Sequence, residues 1–295
     1  MILAGTSDGI RFVTQPDHAA LAGRLAELWG GEEFASPTPT AAVRLAVHAH
    51  DDGWWPRDRR PRLGPDGSPQ AFHELPASAW LRLYRRGIDD VARTDRYAGL
   101  LVSMHGSGLR RRRYGLSPSW GATPAEFSEF VDREEDRQRS LALALRNDPD
   151  DDRVSAADVD LLRTLHEGGR APDGADGVRL WRNYRLLAAL DAFSLRLCAT
   201  NGTGATEPIT VEHVPTKPGT GDVTVTARPV TPGEYEASPY PFRDSPVTVC
   251  VPARTVTTTS FPDESTLLER YYEADTEDLA FTLRAPSDSE SCGRI

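Results

Sequence analysis

A His-Asp pair at positions 50 and 51 sits where a helix should be apolar. In AAVRLAVHAHDDGWW, Val43, Ala46, Val47 and His50 recur at i, i+3, i+4 and i+7, and the line continues to Trp54. That spacing marks one face of a helix. His50 is therefore expected to point into the core, with Asp51 bordering the same face. An unpaired carboxylate in an apolar interior costs on the order of several kcal/mol. Any fold built around this helix must supply a partner for it, either a cation or a network of hydrogen bonds. Zinc and iron accept both imidazole and carboxylate.

The chain has seven histidines. His18 opens the amphipathic segment PDHAALAGRLAELWG, in line with Leu21, Ala22, Leu25 and Trp29. His105 ends YAGLLVSMH, one turn after Leu101. Asp191 lies within RLLAALDAFSLRLC, on the face of Leu187, Ala188, Leu195 and Cys198. Any one of these alone reads as a buried polar residue satisfied by a hydrogen bond. Together they place a metal-ligand type on four apolar helix faces and point to a common site.

The order His18, His50-Asp51, Asp191 on separate helices resembles the HD superfamily of metal-dependent phosphohydrolases. TQPDHAALAGRLAELWG, HAHDDGWW, LLVSMHGSGL and LDAFSLRLC further resemble a bacterial and archaeal family with an HDxGW signature and no assigned function. The resemblance spans roughly residues 10–200. It implies that His18, His50, Asp51 and Asp191 bind a first metal. Binuclear members carry two more histidines between the His-Asp pair and the last Asp; here that interval holds His73, His105 and His166. His105 is the best placed of them, expected near the cluster but outside its innermost ligands. His73 follows a Gly/Pro-rich loop, and His166 falls at a helix C-terminus, where it suits the helix dipole. His48 lies about 200° around the helix from His50 and reads as surface.

The formal net charge is −10, and Lys217 is the only lysine among 34 basic residues. Such a balance fits a salt-adapted surface and argues against general nucleic-acid binding. One basic run, Arg110 to Arg113, follows His105; it reads either as a solvated helix end or as a phosphate clamp, since arginine forks match phosphate oxygens. No apolar stretch approaches the length of a membrane span, and MILAGTSDGIRF lacks the pattern of a signal peptide. Cys198, Cys250 and Cys292 suggest neither a disulfide framework nor a zinc ribbon. A cytoplasmic location is the expectation. P-loop, dinucleotide and nucleophile-elbow motifs are missing from the sequence.

The chain divides into an N-terminal hairpin (1–14), a helical metal-binding domain (15–200), a small β-rich region (201–287) and a disordered tail (288–295). Helices are expected near 16–29, 40–52, 77–92, 95–109, 124–146, 156–167 and 178–199. Thr123 to Glu126 and Ser155 to Asp158 read as helix-start signals. Strand-like runs follow Asn201-Gly202: PITVEHV, DVTVTARPV, SPVTVCVPARTVTTTSF and LAFTLRA, with a helix near DESTLLERYYEA. The expected class is mainly α: an HD-like bundle with a small sheet formed by the C-terminal region and the N-terminal hairpin.

The functional expectation is a divalent-metal hydrolase, with iron, manganese or zinc as the ion. His18, His50, Asp51 and Asp191 would hold the ion, and Asp51 could bridge to a second one held partly by His105. Arg110 or a neighbour would neutralise a phosphate. The phosphoester or nucleotide-like substrate is what the resemblance implies. Two alternatives stay open: an HD-type di-iron oxygenase, and a non-catalytic domain with a structural metal or a hydrogen-bonded His/Asp core. Trp54 and Trp55 would wall the site or hold the helix end. Asp58 reads as a loop carboxylate paired with Arg57 or Arg59, or as a ligand contact. The β-rich region, His213 included, is expected to carry no chemistry.

Overall fold

Strand β1 (Ile2–Gly5) turns through Ser7, Asp8 and Gly9 into β2 (Ile10–Val13), and the two pair antiparallel. The computed structural model describes residues 1–117, 124–200 and 207–287. Next come α1 (Gln15–Leu28), α2 (Thr40–Ala49), the short α3 (Trp55–Asp58), α4 (Ala77–Thr94) and α5 (Arg96–Gly108). They are followed by α6 (Ser128–Arg146), α7 (Ala156–Gly168) and α8 (Arg179–Ala199). The rest runs β3 (Ile209–Pro215), β4 (Asp222–Thr231), β5 (Glu234–Ser238), β6 (Val247–Val256), α9 (Glu264–Glu273) and β7 (Thr276–Arg284).

Local chemistry sets several helix starts. Thr14 caps α1 by accepting from the Asp17 amide at 3.1 Å, with Pro16 in the first turn. Asp158 serves two helices. One oxygen accepts from the Ser155 amide at 2.7 Å, closing the capping box of α7, and the other accepts from the Leu180 amide at 2.9 Å, at the start of α8. Helix α5 is buried along its whole length from Tyr97 to Gly108. A helix apolar on all sides belongs inside, and α2, α4, α6 and α8 surround it.

The strands form one seven-stranded sheet in the order β1-β2-β6-β7-β5-β4-β3, antiparallel except where β5 meets β7. The sheet curls into a half-barrel. Its two faces alternate residue by residue, as strand geometry requires. Ile2, Val13, Val249 and Val251 face the main core, while Leu3, Phe12 and Val256 face a smaller cluster covered by Leu267 and Tyr271 of α9. Helices α1 and α8 lie against the sheet.

This is an α/β fold, which corrects the expectation of a mainly α bundle with a small accessory sheet. Two things were hidden in the sequence. Strand β5, EYEAS, is short and polar and carries little strand signal. The hairpin joins the C-terminal strands as expected, through β6, but the parallel pairing of β5 with β7 connects distant segments that no local pattern reports. Among the described residues no helix is long and apolar enough to cross a membrane. The expected start signal at Thr123, the break at Asn201-Gly202 and the tail 288–295 lie outside the described residues.

The helix expected over 40–52 stops at Ala49. Asp51 leaves the helical region (φ −116°, ψ 15°), and the Trp54 amide donates back to the Asp51 carbonyl at 3.0 Å. This turn presses on α4. A Cβ on Gly53 would lie 2.2 Å from the Leu83 carbonyl oxygen and 3.0 Å from the Gly87 amide. The glycine of the HDxGW signature is thus needed for backbone to meet backbone. Gly53→Ala is expected to cost about 3 kcal/mol through overpacking, read as a lower urea midpoint with unchanged slope.

A buried polar network ties α5, α6 and α7 together. The His166 ring donates from Nε2 to Gln138 Oε1 at 2.9 Å, and Gln138 donates to Ser103 and Ser107 at 3.1 and 2.9 Å. Burial, with Arg139 and Arg111 nearby, pulls His166 down to about 4. The unfolded chain therefore takes up a proton near pH 6.5 that the folded chain refuses. Stability should fall as pH drops from about 6.5 toward about 4. His166→Gln should flatten that part of the pH profile in urea titrations.

Candidate metal centre

Four helices and one turn bring five of the expected ligands together. His18 comes from the first turn of α1, His50 from the end of α2 and Asp51 from the turn after it. His105 comes from the last turn of α5 and Asp191 from the middle of α8. All five are at most 5% exposed. The three rings form a row with His50 in the middle, 5.1 Å from His18 and 4.9 Å from His105 between centroids. Two trios have ligand atoms within 4.8 Å of one another: His18, His50 and Asp191, and His50, Asp51 and His105.

The outer contacts of two rings settle which nitrogen faces the site. His50 donates from Nδ1 to the Val47 carbonyl at 2.7 Å. The Ser194 hydroxyl donates to the Asp191 carbonyl at 3.1 Å, so its oxygen accepts from His18 Nδ1 at 3.0 Å. Both Nε2 atoms face carboxylates: His18 Nε2 hydrogen-bonds Asp51 Oδ2 at 3.2 Å, and His50 Nε2 stands 3.4 Å from Asp191 Oδ1. His50 Nε2 and Asp51 Oδ1 are buried with no hydrogen-bond partner.

The charges are strongly coupled. Burial would pull His50 down, but Asp51 and Asp191 raise it to about 9. Burial would push both carboxyl groups up, yet the imidazoles hold Asp51 and Asp191 below the usual carboxylate range. His105 is drawn down to about 4 by its burial, which the carboxylates only partly offset. The cluster therefore favours a positive charge at its centre.

A divalent ion fits that demand. Ligand atoms about 2.1 Å from one ion lie about 3.0–3.4 Å apart in octahedral or tetrahedral geometry, in line with the 3.4 Å between His50 Nε2 and Asp191 Oδ1. The outer hydrogen bonds on His18 and His50 are of the kind that orient metal-binding imidazoles. His50 offers only Nε2, so the two trios compete for one nitrogen.

The cluster opens on a cavity of about 900 Å³. Asp51, His105 and Asp191 line it, beside an aromatic wall that includes Trp54, Trp80 and Tyr84. Trp54 is buried edge-on against Phe72 and Tyr84, whereas Trp55 points outward, 46% exposed. Arg110 also lines the cavity, its guanidinium 4.1 Å from the Trp80 ring and 3.8 Å from the Phe127 ring. It belongs to the aromatic wall rather than to the ligand cluster.

Within the Arg110 to Arg113 run, it is Arg113 that stands beside the cluster. Its guanidinium donates to the Ala188 carbonyl at 3.1 Å and stands 4.0 Å from Asp191 Oδ2, at the cavity wall. The backbone reaches there through a left-handed run: Arg112, Arg113 and Tyr114 have φ of 52°, 49° and 52°, and Gly115 follows at 92°. Each such non-glycine residue costs about 1–2 kcal/mol. The only sequence signal was the arginine run itself.

Other histidines and carboxylates fall elsewhere. His48 is exposed, His73 sits exposed on a turn at the cavity lining, and His166 serves the network described above. Asp58 is fully buried and pairs with the Met1 amine at 2.9 Å and the Gln15 amide at 2.7 Å, not with Arg57 or Arg59.

The chain belongs to the DUF3891 family of proteins of unknown function, whose model matches residues 1–258. That match takes in α1 to α8 and the strands through β6. No curated protein and no solved structure matches it.

The chain is expected to bind one divalent ion, as counted by elemental analysis. His18→Ala and Asp191→Ala should lose it. Ser194→Ala, which removes only an outer hydrogen bond, should weaken binding about 10- to 100-fold in a chelator competition. Two tightly bound ions per chain would contradict the shared role of His50.

Proposed function

We propose that the protein is a divalent-metal-dependent hydrolase of an anionic small molecule, with a phosphoester as the best-fitting group. One observation carries the reading. A buried His/Asp cluster with two imidazole Nε2 atoms turned toward carboxylates opens on a cavity beside the Arg113 guanidinium. Iron, manganese and zinc suit the donors, and the HD-type resemblance supports the same chemistry. When bound, the ion would supply Lewis acidity and a water of lowered pKa.

The chain's own residues have separable tasks. His18, His50 and Asp191 would hold the ion, with Ser194 and Val47 fixing the rings. Asp51, facing the cavity, would orient a water or accept its proton. Arg113 would bind the phosphoryl oxygens as a fork, which a lysine cannot reproduce. Arg110, on its aromatic shelf, would form the side of the substrate channel. The aromatic wall would limit water around the reacting group.

A second reading is redox chemistry at iron. Each trio contains two imidazoles and one carboxylate, a set that non-haem iron oxygenases also use. Dioxygen uptake by iron-loaded protein, without turnover of phosphoesters, would favour it.

The test is a phosphoester panel assayed with manganese-, iron- and zinc-loaded protein. Turnover should vanish in His50→Ala. Arg113→Lys should keep the ion but lower kcat/KM roughly 10- to 100-fold, the loss of one bidentate contact. Turnover that is indifferent to Arg113 would remove it from the site.

A further inference from the structure

The far wall of the same cavity is built from strand β3, where Thr210, Val211, Glu212 and His213 all line it. Side chains on a regular strand alternate between faces, but β3 is interrupted just before its end. The break is a bulge. Pairing with β4 shifts register between Val211 and Val214, and His213 is held at φ 57°. Bulges beside active sites commonly re-aim a side chain, and a left-handed non-glycine residue is a strained one.

The ring so placed is anchored on one side only. His213 donates from Nδ1 to Asp222 Oδ2 at 3.1 Å, which leaves Nε2 as an acceptor. The same Asp222 oxygen accepts from Arg185 Nη1 at 2.9 Å, and Arg185 also pairs with Asp176 at 3.0 Å. Arg185 is 3% exposed and rises from α8. It precedes Asp191 by six residues, about 9 Å along the helix. The imidazole is thus tied through a carboxylate and a buried guanidinium to the helix that carries the metal-site aspartate.

We infer that the β3 bulge is a second subsite, in which His213 Nε2 and the Glu212 carboxylate accept hydrogen bonds from hydroxyl groups of the substrate. These acceptors line the same cavity as Arg113. A ligand that meets both Arg113 and these acceptors carries an anionic group and hydroxyls, as in a sugar or polyol phosphate. The inference rests on the hydrolase reading for the anionic group alone; the hydroxyl contacts stand on the bulge. It also reverses the expectation that the β-rich region carries no chemistry.

Calorimetry on the full-length, manganese-loaded chain tests this with inorganic phosphate, free ribose and ribose 5-phosphate supplied as its non-hydrolysable methylene phosphonate. Wild-type protein should bind ribose 5-phosphate at least about 10-fold tighter than phosphate, the equivalent of one or two added hydrogen bonds. In His213→Gly that advantage should disappear while phosphate binding stays. The thermal midpoint should hold or rise, because glycine accepts the left-handed backbone. Glu212→Gln, which keeps the bulge, should lose part of the same advantage. Equal ribose 5-phosphate affinity in wild type and His213→Gly overturns the inference. So does a lowered midpoint with both phosphate ligands weakened alike, which would make His213 a structural residue. If wild-type protein fails to bind phosphate, the hydrolase reading fails instead. Ribose binding that depends on His213 then still decides the subsite.

Discussion

Two carboxylates and three imidazoles share one buried space, and the arrangement of the chain follows from keeping them compatible. Asp51 and Asp191 are each within 4 Å of a ring nitrogen, and water scarcely reaches either. Desolvated carboxylates this close repel each other unless a positive charge lies between them. A proton on His50 can serve, and so can a divalent ion. Either way α1, α2, α5 and α8 must converge, because each contributes one member. The Val47 carbonyl and the Ser194 hydroxyl then hold two rings in the tautomer that turns Nε2 inward.

That convergence explains features that look unrelated along the chain. Helix α2 ends at Ala49 so that His50 and Asp51 can face the same point from a helix end and a turn. The turn fits only because Gly53 meets Gly87 and the Leu83 carbonyl of α4 without side chains between. The left-handed run before Gly115 brings Arg113 to Asp191, a cation beside an anion at the mouth of the cluster. The sheet completes the arrangement by backing α1 and α8 and by closing the cavity with β3. The family match across residues 1–258 spans α1 to α8 and most of this sheet.

The clustering of these residues was legible because the signal is a contradiction. His18, His50, His105 and Asp191 occupy apolar stripes, and a polar residue on a buried face demands a partner. Arg113 and His213 gave no such signal. An arginine in a run of four reads as solvated, and a histidine in ITVEHV reads as one more strand residue. Both are aimed by left-handed backbone, which neither residue type announces. The place expected for Arg110 was right only in part: it reaches the cavity, but it lies against Trp80 and Phe127 rather than at the ligand cluster.

Sequence alone determined the elements whose causes are local: the helix periodicities, the caps at Thr14 and Ser155, the hairpin at Ser7-Asp8-Gly9, and the buried ligand types. Each follows from residues within a few positions of one another. Tertiary structure decided the rest. The seven-stranded sheet depends on pairings between segments far apart in the chain, including a polar strand, β5, stabilised by its neighbours on both sides. The end of α2 depends on close contact with α4. The shape of the cavity depends on a bulge and a left-handed turn that are retained because distant partners, Asp222 for His213 and the Ala188 carbonyl for Arg113, hold those side chains in place. Local propensity cannot encode a conformation whose stabilising contacts lie elsewhere in the fold.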